Sequence, residues 1–367
     1  MQVSRVRLEV ISLFAAALLA ACGGGGGGSS GSSGNAAAGN TTGSNTTGSN
    51  NSAQTSTSTQ LGGTVTLLPV AATAATLPSA SGNATADGIA YLNAMRQTVG
   101  LPTLPSDAGL TTASLDHATY LVENQTYGHD ETAGQPGYTG ATPQDRIDAE
   151  GNYSAYGEVV VAGQPAAFAN SVSPVQTLFD APYHRIVMLD DFQSMGVASL
   201  TNASWEAFNI DFGNEANAMP LTALVTYPYA GQKGVPTSWF ANESPNPFAN
   251  APQYELTTVG YPVTIQSGFA GTLNAVNFTI TDASGNNVPC LPQTPQTDPG
   301  ELSNGALCAP YQTLASNATY TVHVTGVLSN GTQNNTIDVQ WSFTTGAAAV
   351  ANEALQAAPT NRPLPLF

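Results

Sequence analysis

Tyr127-Gly128-His129-Asp130, Tyr156-Gly157-Glu158-Val159 and Ala181-Pro182-Tyr183-His184-Arg185 are the three stretches that decide how this chain is read. The chain is poor in charge, with four histidines and seven Lys plus Arg among 367 residues. Two of the histidines nevertheless sit in glycine- or proline-marked turns, with a glutamate between them in sequence. Histidine and carboxylate are the side chains that bind divalent metals and move protons near neutral pH. A polar site is therefore expected at His129, Glu158 and His184.

Outward from these stretches, residues 1–22 read as a lipoprotein signal peptide. Arg5 and Arg7 make a basic start, and the apolar run from Val10 to Ala21 is too short to span a bilayer as a helix. It closes Leu19-Ala20-Ala21-Cys22, which resembles the bacterial lipobox, whose cysteine becomes the new N-terminus and carries lipid. Gly23 in place of aspartate resembles lipoproteins sent to a Gram-negative outer membrane. An ordinary signal peptide, with Cys22 incidental and the protein secreted, is the competing reading. Residues 23–83 are expected to form a flexible tether. Up to about Gln60 they are Gly, Ser, Thr, Asn and Ala, with too little apolar bulk to offset ordering entropy.

The net charge is −17. Removal of residues 1–21 takes Arg5, Arg7 and Glu9 with it and leaves five basic against 23 acidic side chains, a net −18. Nucleic acid is excluded as a partner on that balance, because phosphate contacts need basic groups. Anionic headgroups are disfavoured for the same reason. Apart from Cys22 only Cys290 and Cys308 remain, and an exported pair is expected to form one disulfide.

The pattern predicts an α+β chain. Ile89, Leu92, Met95 and Val99 share a helical face that Gly100 ends, and Leu110, Ala113, Ala118, Leu121 and Val122 mark a second helix. Thr142-Pro143-Gln144-Asp145 is a helix start with a cap, proline at the first position and an acid two residues on. Ser173-Pro174 is expected to repeat it. Residues 195–198 and 205–210 read as paired strands around Asn202. A Pro-, Gly- and Asn-rich connector is expected over 227–253, followed by an all-β region over 254–346. There Val276, Phe278 and Ile280, then Tyr320, Val322 and Val324, then Ile337, Val339, Trp341 and Phe343 alternate with polar residues. Residues 347–367 form an Ala- and Pro-rich tail.

Taken in order, residues 86–213 resemble a bacterial CAP domain, the superfamily of cysteine-rich secretory proteins, antigen 5 allergens and class-one pathogenesis-related proteins. The matching residues are Leu92-Asn93 with Arg96 and Gly100-Leu101; Ala113, His117 and Ala118; His129 with Gly137-Tyr138-Thr139-Gly140 and Arg146; Gly157-Glu158; Pro182-Tyr183-His184-Arg185; and Gly196-Val197 with Phe212-Gly213. The domain so assigned is 84–226. The resemblance implies an α-β-α sandwich whose cleft is lined by two histidines and two glutamates. It puts His129, Glu158 and His184 at three of these positions, open to zinc or another divalent metal. The fourth has no clear match, and Asp180 is the candidate. Trp341-Ser342-Phe343-Thr344-Thr345 resembles the end of bacterial Ig-like modules, which implies an Ig-like sandwich over 254–346.

Other readings of the same residues remain open. His129 also suits a turn held by a backbone hydrogen bond, and Glu158 a buried carboxylate that holds backbone N–H groups. His184 and Arg185 also suit a helix end. His117, on an apolar helix, reads as a satisfied core histidine, and His323 as solvated. Among functions, a binding module for a metal, lipid, sterol or cell-wall glycan in the cell envelope is preferred. The alternative is a metal-assisted hydrolase, of peptidase or esterase type, with Glu158 as catalytic base. No Gly-x-Ser-x-Gly elbow supports a serine nucleophile.

Overall fold

The strand Tyr156–Gly163 is buried along its whole length, as a strand covered on both faces must be. Val159 and Val161 belong to one apolar cluster, Val160 and Ala162 to another. In the computed structural model, which describes residues 60–347, that alternation separates two layers of helix. The helices are α1 (Ala84–Thr98), α2 (Ala108–Asn124), α3 (Pro143–Glu150), α4 (Ser173–Asp180) and α5 (Pro182–Met188). The strands are β1 (Gln60–Thr64), β2 (Thr66–Leu67), β3 (Tyr156–Gly163), β4 (Phe192–Thr201), β5 (Glu206–Glu215), β6 (Ala223–Tyr227), β7 (Ser238–Phe240), β8 (Thr258–Gly260), β9 (Val263–Gln266), β10 (Thr272–Asp282), β11 (Cys290–Gln293), β12 (Gly305–Pro310), β13 (Thr319–Ser329) and β14 (Gln333–Thr344).

Strands β3, β5 and β4 form an antiparallel sheet in that order. Ala118, Leu121 and Val122 of α2 pack on Val160, Ala162 and Ala207 at one face. Leu92 and Met95 of α1, Val175 and Leu178 of α4 and Ile186 of α5 join the cluster that holds Val159, Val161, Phe208 and Ile210 at the other. Gly196 explains how closely α2 approaches. A Cβ there would collide with the α2 backbone at Leu110 and Thr111.

The helix ends follow local chemistry. Asn83 accepts from the Ala86 amide at the start of α1, and Gly100 takes the left-handed turn after it at φ +85°. Asp107 caps α2 through the Leu110 amide. Thr142 and Asp145 form a capping box with Pro143 at the first position of α3. The second expected start differs. Ser173 is already the first residue of α4, and Asn170 instead accepts from the Val172 and Ser173 amides.

The remaining strands form a four-stranded sheet in the order β1-β14-β13-β10 and a five-stranded one in the order β11-β12-β9-β6-β2, with β7 and β8 paired apart. The alternation in β13 and β14 sets their antiparallel register, Val322 opposite Trp341 and Val324 opposite Val339. Three expected boundaries shift. The described end of the tether carries β1 and β2, which pair in parallel with β14 and β6. The connector carries β7. The later strands do not stand apart, because β6 lies beside β9 and one apolar cluster runs from Leu92 and Val159 through Val225 and Ile265 to Trp341. Cys22, most of the tether and the tail from residue 348 lie outside the described residues. Among those described, no helix is long and apolar enough to cross a membrane.

Cys290 of β11 and Cys308 of β12 form a disulfide between neighbouring strands. Closing a loop of this length stabilises a fold by about 3 kcal/mol. A Cys290→Ser, Cys308→Ser variant is expected to lose about that much unfolding free energy in a denaturant titration. An unchanged midpoint would show that the surrounding strands hold the register unaided.

Candidate functional site

His129 lies in the bend that follows α2, and Glu158 is the third residue of β3. The His129 ring donates through Nδ1 to Glu158 Oε1 at 2.7 Å. The other carboxylate oxygen, Oε2, accepts from Arg146 Nη2 at 2.8 Å and Asn209 Nδ2 at 3.2 Å. His129 is 2 % exposed and Glu158 is fully buried. With Nδ1 committed, the ring nitrogen left over is His129 Nε2, which is buried and has no hydrogen-bond partner.

Glu158 stands opposite Asp211 in the β3–β5 register. Two carboxylates so placed in a buried sheet do not both ionise. Burial alone would raise the Glu158 carboxyl, but the Arg146 charge, then His117 and the His129 hydrogen bond, hold it well below the usual range. Asp211 is pushed well above its own, first by burial and then by the charge on Glu158. The bonding around Ser114 agrees. Its Oγ lies 3.0 Å from both the Gly196 carbonyl and Asp211 Oδ2, and it accepts from the Asp211 amide. One hydroxyl proton serves two acceptors only as a shared and weakened three-centre bond. A protonated Asp211 donates to Ser114, which passes its own proton to Gly196.

His184 is the third residue of α5, within the helix rather than at its end. Its Nδ1 donates to Glu243 Oε1 at 2.7 Å, and its backbone N–H donates to the same oxygen at 2.9 Å. His184 is fully buried, and Glu243 is nearly so. The neighbouring Tyr183 hydroxyl donates to Asp298 Oδ2 at 2.5 Å, and burial, then Asp298, push its pKa up. Both acids come from the second half of the chain. Asp180 does not fill the expected fourth position. Its Oδ1 accepts from the Tyr261 hydroxyl and its carbonyl from Arg185.

His117 uses both ring nitrogens, Nδ1 on Glu131 Oε1 and Nε2 on the Gly128 carbonyl, each at 2.9 Å. It has no lone pair to offer a metal, and its part is to tie α2 to the 128–131 bend. Burial raises the Glu131 carboxyl, but hydrogen bonds from His117 and the Thr139 amide and the Arg146 charge outweigh it and leave it lowered.

His129 and His184 are near enough that charge on His184 opposes protonation of His129. Burial is the larger cause, and it holds His129 below the ordinary 6.5. His129 is therefore a neutral donor at pH 7. Among the described residues, no group of three or more His, Cys, Asp and Glu is spaced to hold a metal ion. Glu158, expected as a direct ligand, accepts from the His129 ring at Oε1 and from Arg146 and Asn209 at Oε2. His129 and His184 each have Nδ1 fixed by a buried carboxylate, the arrangement that orients metal-ligating histidines. Sequence reasoning missed Glu243 and Asp211. Only the pairing of Asp211 with Glu158 across two recognisable strands carried a usable signal.

Residues 89–212 match the model of the Cysteine-rich secretory protein family, CAP. This chain carries a CAP domain over that span, about a third of its length. Among curated proteins none matches. Among solved structures, the chain is similar to an extracellular protein containing a SCP domain from Bacillus anthracis str. Ames, at 21 % identity and a TM-score of 0.30. That similarity covers 36 % of this chain and 40 % of the other, less than half the length of either.

Glu158→Gln should destabilise the protein by about 3 kcal/mol, because it removes the carboxylate closest to buried Arg146 and leaves Glu131, 3.7 Å from Nε, as its nearest charged partner. Asp211→Asn should do the opposite at pH 7. Folded Asp211 keeps a proton that the unfolded chain releases near 3.8, so the wild type loses stability as pH rises through that value. Asparagine escapes that loss and keeps a donor for Ser114. Thermal melts should show the advantage of Asp211→Asn at pH 7 shrinking towards pH 4. A variant less stable than wild type at pH 7 would place the proton elsewhere.

Proposed function

We propose that this chain is a non-catalytic binding protein of the bacterial cell envelope, or a secreted one, whose CAP domain takes a divalent metal at His129 and His184. The observation that carries the reading is His129 Nε2, a buried nitrogen without a partner on a ring that Glu158 orients. Glu243 does the same for the second ring. Imidazole donors suit zinc, copper or nickel better than calcium or magnesium. Water would complete the shell around two protein ligands, so binding should be weak and reversible. A site this enclosed suits an ion rather than an acyl chain, a sterol or a glycan.

The hydrolase reading is less well supported. A general base works best with a pKa near the operating pH, whereas Glu158 is held far below it by Arg146. We read 254–346 as an Ig-like element, on the Trp341 to Thr345 ending and the alternation of β13 and β14. Here it also supplies Asp298 to the CAP domain.

Calorimetry with zinc should show binding that His129→Ala and His184→Ala each abolish. Glu243→Gln should weaken it by about 10–100-fold, as expected when the partner of a ligand is lost. Affinity should fall as pH drops below about 6, where histidine protonates. Undiminished zinc binding by the double histidine variant would sink the assignment.

Anchoring is proposed separately, from Leu19-Ala20-Ala21-Cys22. Mass spectrometry of the mature N-terminus should show lipid on Cys22, and Cys22→Ala should release the protein from membranes. An unmodified start at another residue would support secretion.

A further inference from the structure

A cavity of about 560 Å³ has none of His129, Glu158, His184 or Glu243 in its wall. It lies between α1, α4 and the segment after β6, and its size suits a ligand of one or two sugar rings. On the α4 side the wall is polar, with Gln176, Thr177 and Asp180. The side chains of Gln176 and Thr177 make no hydrogen bond to protein, while the opposite face of α4, Val175, Leu178 and Phe179, is packed in the core. Tyr91 and Tyr229 also line the cavity.

The rim holds a side chain of particular weight. Lys233 is the only lysine in the chain. Arg96, Arg146 and Arg185 are buried, so among the described residues Lys233 is the one exposed Lys or Arg, on a chain of net charge −17. A solvated lysine at random would more often lie far from a cavity; this one is part of a cavity wall.

We propose that this cavity binds a small acidic saccharide, with hydroxyls on Gln176 and Thr177, a ring face against Tyr91 and Tyr229, and a carboxylate at Lys233. Amide and hydroxyl side chains on one wall match a ring rich in hydroxyls, which both donates and accepts. The aromatic side chains in the wall supply apolar surface for its C–H face. An acyl chain in the same space would desolvate Gln176 and Thr177 and return no hydrogen bond to them. Lys233 then selects sugars that carry a negative charge. The site does not depend on the metal reading.

The test is calorimetry of the whole protein with digalacturonate and with the neutral digalactoside, both in the presence of a metal chelator. Digalacturonate should bind about tenfold more tightly than the neutral sugar, the size of effect one charge-assisted hydrogen bond gives. Lys233→Met should remove that difference and leave the neutral sugar as it was. Gln176→Leu should weaken both. These side chains are not in the core, and circular dichroism should show the variants folded. Equal digalacturonate affinity in wild type and Lys233→Met overturns the proposal. So does a protein that binds neither sugar, or one that takes palmitate and no sugar.

Discussion

Arg185 is the charge on which the arrangement of helices and strands depends. Its Nε donates to the Phe179 carbonyl, Nη2 to that of Asp180 and Nη1 to that of Pro262, each at 2.8 Å. The guanidinium lies 4.7 Å from the ring centre of Tyr227 and 4.9 Å from that of Tyr261. A buried cation with one partner would cost several kcal/mol. Here three carbonyls and the rings of Tyr227, Tyr261 and Phe179 replace its water, and they come from α4, β6 and the turn between β8 and β9. No lysine can reproduce that contact, because its charge is not planar and has no fork of donors. Arg185 thus ties α5 to its neighbours, together with the bonds that Arg96 and Gln266 make to the Met188 and Ile186 carbonyls. His184 and Tyr183, its immediate neighbours, are thereby carried to Glu243 and Asp298.

The same economy governs the other side of the site. The described part of the chain has three arginines, all buried, and Arg146 is the one that meets the β3–β5 carboxylates. One guanidinium cannot neutralise both Glu158 and Asp211. It binds Glu158, which stays ionised and can therefore accept from His129. Asp211 keeps a proton and serves as a donor. The tautomer of His129 follows from this division of charge, and it leaves the lone pair on the buried Nε2 without a hydrogen-bond partner.

Much of the helical layer was legible because its signals are local. The cap at Thr142, the turn at Gly100 and the apolar spacing of α1 and α2 act within a few residues. The alternation of β13 and β14 was legible for the same reason. Helix α5 was not, since seven residues are too few for a period to show. Strands β1 and β2 were hidden because a parallel edge strand needs a partner hundreds of residues away, and little in its own composition marks it. His129, Glu158 and His184 were legible as motifs, but their roles were not. Whether a glutamate is a ligand or stands behind one depends on Arg146 and Asn209, which sequence spacing does not place. Glu243 is 59 residues from His184, in a segment whose proline and asparagine content reads as a linker.

That last residue changes what the second half of the chain is for. A spacer can be exchanged or removed without altering the domain it carries. Here the carboxylate on His184 Nδ1 and the acceptor for Tyr183 both lie beyond the span of the family match. The carbonyl that completes the Arg185 fork lies beyond it too. Cut at residue 212, the CAP domain would keep His129 with Glu158 but lose the group that fixes the other imidazole. It would also expose the apolar cluster that runs from Val159 to Trp341. The later strands therefore act as one wall of the site and as half of its core. Changes in Glu243 or Asp298 should behave as changes in the CAP domain itself.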